Sequence, residues 1–205
     1  MPTTPLPLGV PCQRLDLPDA DVRLWPQAFA PGRADALLLE LRREVDWQQE
    51  HILVFGERRL VPRLVAWHGD PGASYLYSGT PHEPRPWTPP MLEIREVAQA
   101  LTGQRYNSVL LNLYRDGHDG MGWHADDEPE LGREPAIASV SLGATRRFKL
   151  RHRKRKVVTT LDLGHGSLLA MAGATQHCYV HAVPKTARPV GERINLTFRY
   201  VTAGA

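Results

Sequence analysis

Two stretches of the chain repeat their apolar residues at helical spacing. In PGRADALLLELRREVDW, Pro31 to Trp47, the side chains of Ala34, Leu37, Leu38, Leu41 and Val45 share a face, and Arg42, Arg43 and Glu44 are left for water. In PPMLEIREVAQALTG the stripe is Ile94, Ala98 and Leu101; prolines open this helix and Gly103 closes it. Beyond Gly103 the pattern changes. NSVLLNLYR, IASVSLGA, RRFKLRH, KVVTTLDL, GSLLAMAG, CYVHAVP and RINLTFRYV are short, rich in Val, Leu, Thr and aromatics, and separated by Gly, Pro, Asp or basic turns. Seven strands at this spacing predict a sandwich or barrel of antiparallel strands. Trp47 to Trp87 reads as mixed strands and loops. The expected organisation is an irregular arm over residues 1–26, where Pro2, Pro5, Pro7 and Pro11 cluster, then one domain over 27–205, helices first and a mainly β (α+β) body after.

Composition narrows the class. A chain of 205 residues is long enough for one domain with a proper core. Its hydrophobic fraction of 42% is well above that of disordered chains. Lys+Arg exceed Asp+Glu by 25 to 22, a weak bias toward polyanions. The two cysteines, Cys12 and Cys178, sit in unrelated contexts and form neither a disulfide framework nor a CxxC metal pattern. No apolar run reaches the length of a membrane span, and the N-terminus does not read as a secretory signal. A soluble, cytoplasmic monomer is expected.

Candidate chemistry begins with MGWHADDEPELG, Met121 to Gly132. His124 is followed by Asp126, Asp127, Glu128 and Glu130, and carboxylates this close resist ionising together. A cation, a cationic substrate or exposure to water would each tolerate them. In an extended strand His124 and Asp126 project from one face and can reach one metal. His181, in CYVHAVP, is a candidate third ligand. Two histidines and a carboxylate leave three positions open and suit Fe(II) in oxygenases. The plain alternative is a surface histidine beside an acidic loop. The last strand adds weight. Arg193, Asn195, Thr197 and Arg199 share one face, and Ile194, Leu196, Phe198 and Tyr200 the other. Either the polar face is wet, as on an ordinary edge strand, or it lines the mouth of a barrel, where guanidinium groups need an anion. A small dicarboxylate would match them bidentately. Asn112 and Tyr114 share a face in LLNLYR and could join them.

The run NSVLLNLYRDGHDGMGWHADDEPELG, with IASVSLGATRRFKLRH, LDLGHGSLLAMAGATQHCYVHAVPK and ERINLTFRY, resembles the AlkB family of Fe(II)/2-oxoglutarate dioxygenases, in the branch that includes the human DNA-repair members. The likeness covers about Val54 to Val201. It implies a double-stranded β-helix, or jelly roll, with N-terminal helices packed outside. It implies His124, Asp126 and His181 as catalytic iron ligands, and Fe(II), 2-oxoglutarate and O2 as cofactors. Arg199 matches the arginine on the far carboxylate of 2-oxoglutarate; Arg193, Thr197, Asn112 and Tyr114 match the rest of that site. Asp127 matches a residue facing the target base, and Glu128 a neighbouring acidic residue of that pocket.

The activity so implied is oxidative demethylation of N-alkylated bases such as 1-methyladenine and 3-methylcytosine in DNA, with release of formaldehyde, succinate and CO2. Such an enzyme must extrude its base and hold it by stacking. Within a nucleotide-recognition region of about residues 47–87, Tyr77 matches the stacking aromatic and Tyr75 shares its strand face. Phe55, in VFGERR, matches an apolar wedge that fills the vacated stack. RHRKRK, Arg151 to Lys156, is a solvated turn or a phosphate contact. His177, His165 and His118 are expected to be structural or loop residues. Action on RNA or protein, or a binding module without catalysis, are the competing readings, and the choice between single and double strands stays open.

Overall fold

The computed structural model describes residues 9–54, 57–73, 75–77 and 80–202, and within these the backbone but not the side chains of 52–54, 75–77 and 80–82. In chain order, β1 (Gln13–Leu15) and β2 (Asp21–Trp25) precede α1 (Pro31–Glu44). Then come β3 (His51–Val54), β4 (Glu57–Leu60), β5 (Leu64–Gly69), β6 (Tyr75–Tyr77), β7 (Thr80–His82) and α2 (Pro89–Thr102). The body is β8 (Ser108–Tyr114), β9 (Met121–His124), β10 (Ile137–Gly143), β11 (Arg146–His152), β12 (Val158–Leu163) and β13 (Ser167–Ala172). A one-turn helix α3 (Thr175–Cys178) leads into β14 (Tyr179–Val183), and β15 (Arg193–Arg199) ends the body.

The strands pair antiparallel into two main sheets. The larger runs β1-β2-β13-β10-β15-β8-β5 and the smaller β12-β11-β14-β9. One core fills the space between them, with Ile137, Leu169 and Met171 from the larger sheet against Phe148, Leu150 and Tyr179 from the smaller. A second core lies where α1 and α2 cover the larger sheet: Leu37, Leu41, Met91 and Ile94 meet Leu111, Val140 and Leu196, all fully buried. Each such aliphatic side chain contributes ~1.5–3 kcal/mol by leaving water. The result is the jelly roll with helices outside.

β15 lies between β10 and β8, so it is no edge strand, and residues 193–198 are buried, so neither of its faces is wet. Ile194, Leu196 and Phe198 pack toward the helices. Arg193, Asn195 and Thr197 therefore point between the sheets.

Three details depart from expectation. Residues 13–15 and 21–25, expected in an irregular arm, are strands; β2 pairs along β13 from Asp21 to Trp25, burying Val22, Leu24 and Trp25. Helix α1 stops at Glu44 rather than Trp47, because Val45 turns extended and Gln48 exchanges two backbone hydrogen bonds with Val65. The chain before His181 is the short helix α3 rather than strand, so His177 and His181 do not share a strand face.

Candidate metal centre and cosubstrate cleft

The pairing of the smaller sheet builds the centre. β14 lies beside β9 with His181 directly opposite His124, and the two imidazole rings stand edge to face with centroids 4.2 Å apart. β9 ends at His124, so Asp126 does not project from the strand as H-x-D spacing suggested. It sits two residues past His124 in the loop that follows, itself buried, and its N–H donates to Gln176 Oε1 at 3.0 Å. Gln176, itself buried on α3, is a residue that spacing arguments missed, because its link to Asp126 spans fifty positions. One donor atom from each of His124, Asp126 and His181 lies within 4.8 Å of the others.

The electrostatics suit a cation. Burial opposes the charge on Asp126 most strongly, yet the Arg199 guanidinium, His181 and His124 overcome it and hold the carboxyl down at about 2. Burial, reinforced by His124, pushes His181 down to about 3 against the pull of Asp126. At neutral pH the site thus presents an ionised carboxylate and a neutral imidazole, the protonation states a metal requires. His124 Nδ1 lies 2.9 Å from the Gly122 carbonyl, which leaves Nε2 for a ligand bond. Asp126 Oδ2 is buried and makes no hydrogen bond, with His181 Nε2 3.6 Å away. These donors fit Fe(II).

The two arginines of β15 are placed differently from expectation. Arg199 forms an ion pair with Asp126, so it belongs to the metal end, not to the far end of a cosubstrate. Arg193 lies deep between the sheets and is 1% exposed. Its Nη2 donates to Ser141 Oγ at 2.9 Å and its guanidinium lies 5.2 Å from the Tyr114 ring, but Nε and Nη1 have no hydrogen-bond partner. Burial lowers the pKa of Arg193. A buried cation with unmet donors calls for an anion, and a carboxylate fits that fork.

Between metal donors and Tyr114 runs a narrow cleft of about 30 Å³, lined by Asn112, Asn195, Thr197, Met121, Met171 and Arg199 among others. Thr197 Oγ1 donates to Asn195 Oδ1 at 3.1 Å, and Asn195 Nδ2 donates to Ser139 Oγ at 2.8 Å. Asn112 Oδ1 accepts from Arg63 Nε at 2.7 Å. Arg63, buried ahead of β5, was not visible as a site residue because nothing in VPRLVAW marks it.

A wider cavity of about 340 Å³ opens onto His124, Asp126 and Arg199 from the other side. Glu128 lines it, as do Gln48, Glu50, Arg63, Trp67 and Glu83. Asp127 does not. Its carboxylate is turned to the rim, where Arg153 Nη2 donates to Oδ2 at 2.8 Å, so the expectation that Asp127 faces the cavity fails for want of a free carboxylate. Phe55 lies outside the described residues; Tyr75 and Tyr77 lie on β6, but their side chains are outside them as well. Of the other histidines weighed in the sequence, His165 Nδ1 accepts the Gly143 N–H at 2.8 Å and His177 meets the Arg133 carbonyl, while His118 is an exposed loop residue.

Comparison with known proteins agrees with this chemistry. The chain is 40% identical to human "DNA oxidative demethylase ALKBH2" over 184 residues, which is 84% of this chain and 70% of that protein. It is also 40% identical to human "Alpha-ketoglutarate-dependent dioxygenase alkB homolog 3" over 192 residues, 88% of this chain and 66% of that one. The solved structure of OsALKBH1 superposes with a TM-score of 0.64 at 16% identity, covering 93% of this chain and all of that one, and so shares the fold. The family model for the 2OG-Fe(II) oxygenase superfamily matches residues 21–199. From its first core strand to the arginine beside its metal carboxylate, the chain belongs to that superfamily and is a dioxygenase using Fe(II), 2-oxoglutarate and O2.

Proposed function

We propose that the protein oxidatively demethylates N-alkylated bases, of the 1-methyladenine and 3-methylcytosine type, in DNA. The observation that carries this reading is the 340 Å³ cavity, at the small end of ligand sites, that joins the metal donors to a wall carrying Glu128. The two human relatives whose names specify DNA demethylation or alkB homology support it. Most of the cavity wall on one side, from Gln48 to Arg85, comes from residues 47–87, which we assign as the nucleotide-recognition region.

When bound, Fe(II) with 2-oxoglutarate and O2 supplies the oxidising power that puts a hydroxyl on the N-methyl carbon, the cosubstrate leaving as succinate and CO2. The chain's own residues supply position and charge. His124, Asp126 and His181 hold the metal. Arg193 takes the far carboxylate of 2-oxoglutarate, replacing the role first expected of Arg199, with Asn112, Tyr114 and Thr197 along the cleft. Met121 and Met171, unbranched and adaptable, give way as the cosubstrate widens the cleft. Arg199 keeps Asp126 ionised and oriented, and Gln176 fixes its backbone. Glu128 favours a ring that N-methylation has made cationic. The N–CH2OH product then splits to formaldehyde and a base bearing N–H. Two free cysteines, Cys12 and Cys178, accord with a reducing cytoplasm, and we propose that the protein acts there as a monomer.

The test is formaldehyde release from single- and double-stranded oligonucleotides carrying one methylated base, against methylated RNA and methyl-lysine peptides, with and without 2-oxoglutarate. The reading expects cosubstrate-dependent release from DNA. Release from peptides alone would overturn it.

A further inference from the structure

The outer face of the smaller sheet plays no part in the site described above. Along β11, Arg146, Phe148, Leu150 and His152 are buried, while Arg147 and Arg151 are exposed and Lys149 is half-buried. On the edge strand β9, the same alternation turns His124 inward to His181 and Trp123 outward, 41% exposed. The Arg151 guanidinium lies over the Trp123 ring, 4.4 Å from its centroid. Val158, opposite Arg151 on β12, is 52% exposed beside them. Among the described residues, Arg147, Lys149 and Arg151 have no ion-pair partner. The acidic residue on this face is Asp162, opposite Arg147 in register.

We infer that this face is a second contact surface, for an unpaired stretch of the nucleic-acid substrate next to the extruded base. A base stacks on Trp123, and Arg147, Lys149 and Arg151 meet the phosphates of the same strand. The inference rests on the nucleic-acid substrate proposed above. A lone exposed aromatic needs no explanation; the combination here does. Three cations repeat at every second residue of one strand, about 6.8 Å apart, a step one extended nucleotide covers. The aromatic ring is the immediate neighbour of a metal ligand, across the thin edge of the sheet from the cavity. A guanidinium already occupies the ring by cation–π attraction, so an arriving base displaces it toward the adjoining phosphate, and stacking and charge are engaged together. A base can lie on the ring only when unstacked from its neighbours, which selects single strands over duplex.

The experiment measures binding of the whole protein to a fluorescein-labelled, unmethylated single-stranded 15-mer, and to its duplex, by anisotropy across a salt series. Trp123→Ala should weaken single-strand binding on the order of tenfold, with a smaller loss on duplex. Trp123→Phe, which keeps a stacking face, should stay within about twofold of wild type. Arg147→Gln and Lys149→Gln should each reduce the slope of log K against log salt by about 0.7. Equal losses on single strand and duplex, an unaffected Trp123→Ala, or a Trp123→Phe as weak as Trp123→Ala would overturn the inference. So would displacement of the 15-mer by an acidic peptide at equal charge concentration. Because binding needs no turnover, a protein that shows these differences yet releases no formaldehyde from methylated DNA would sink the proposed activity alone. One that demethylates a methylated trinucleotide but shows no Trp123 effect would sink this surface alone.

Discussion

Replacing Arg193 with methionine should move two measurements very unequally. In the free protein this guanidinium is 1% exposed, donates to Ser141 Oγ through Nη2, and leaves Nε and Nη1 unmet. Exchanging a buried ion pair for apolar side chains of similar volume is often neutral or stabilising by about 1–4 kcal/mol, and a buried guanidinium with no carboxylate beside it has no more than that to lose. Loss of the Ser141 bond returns about 1 kcal/mol. The variant free of cosubstrate should therefore lie between about 1 kcal/mol less and about 3 kcal/mol more stable than wild type, a shift of roughly 2–4 °C in Tm for each kcal/mol. The 2-oxoglutarate carboxylate, by contrast, would enter a dry cleft with no cation to meet it. Breaking a buried pair from one side costs about 3–5 kcal/mol, so KM for 2-oxoglutarate should rise by roughly two to three and a half orders of magnitude, at tenfold per about 1.4 kcal/mol. Calorimetry of the cosubstrate-free protein and succinate formation against 2-oxoglutarate concentration read the two quantities separately. A Tm that drops by many degrees would mean that Arg193 already has its anion in the fold. A KM within about threefold of wild type would mean that the far carboxylate is held elsewhere.

His181 makes stability depend on pH. Burial holds it down at about 3 against an ordinary 6.5, so between those values the unfolded chain binds a proton that the folded chain refuses. Its contribution is complete above about pH 6.5 and is lost as pH falls toward 3, at about 1.4 kcal/mol per pH unit; urea titrations of metal-free protein at pH 7 and 5 should show the loss, His181→Gln should remove it, and an equal slope in both would contradict the assignment. Glu128→Gln should reduce turnover of a cationic methylated base on the order of tenfold at about 1.4 kcal/mol and leave a neutral methylated base alone, with Asp127→Asn the milder change; equal losses on both bases would remove the charge argument. Lys154→Glu should weaken DNA binding and flatten its salt dependence by at least about one ion, more than Arg153→Glu, whose charge is already engaged by Asp127; identical salt slopes in wild type and variant would exclude a phosphate contact there.

The alternation of β15 was readable because a strand has period two and this one never breaks it, and the same holds for β11; β10 and β13, buried at nearly every position, stood out instead as short apolar runs between turn residues. Helices α1 and α2 declared themselves through apolar spacing and prolines at their starts. What sequence could not supply was depth. Arg193 and Arg199 share a face and differ only in how far along it they stand, so nothing local says which is nearer the metal. Placing Asp126 on a strand followed the H-x-D spacing, but the backbone leaves the strand at His124 because Gln176, distant in sequence, captures the Asp126 N–H. Asp127 stands next to Asp126 in sequence, but nothing local shows that the turn after β11 brings Arg153 to its carboxylate. β2 was hidden by its setting: five residues among prolines carry too short an alternation to stand out, and only pairing with β13 makes them a strand.

The central claim is tested most directly by anomalous diffraction from crystals grown with Mn(II), as a redox-inert stand-in for Fe(II), and 2-oxoglutarate. The account predicts one metal peak bounded by His124, Asp126 and His181, and a cosubstrate whose far carboxylate lies on Arg193. A metal peak away from those three side chains, or a far carboxylate resting on Arg199, would contradict it.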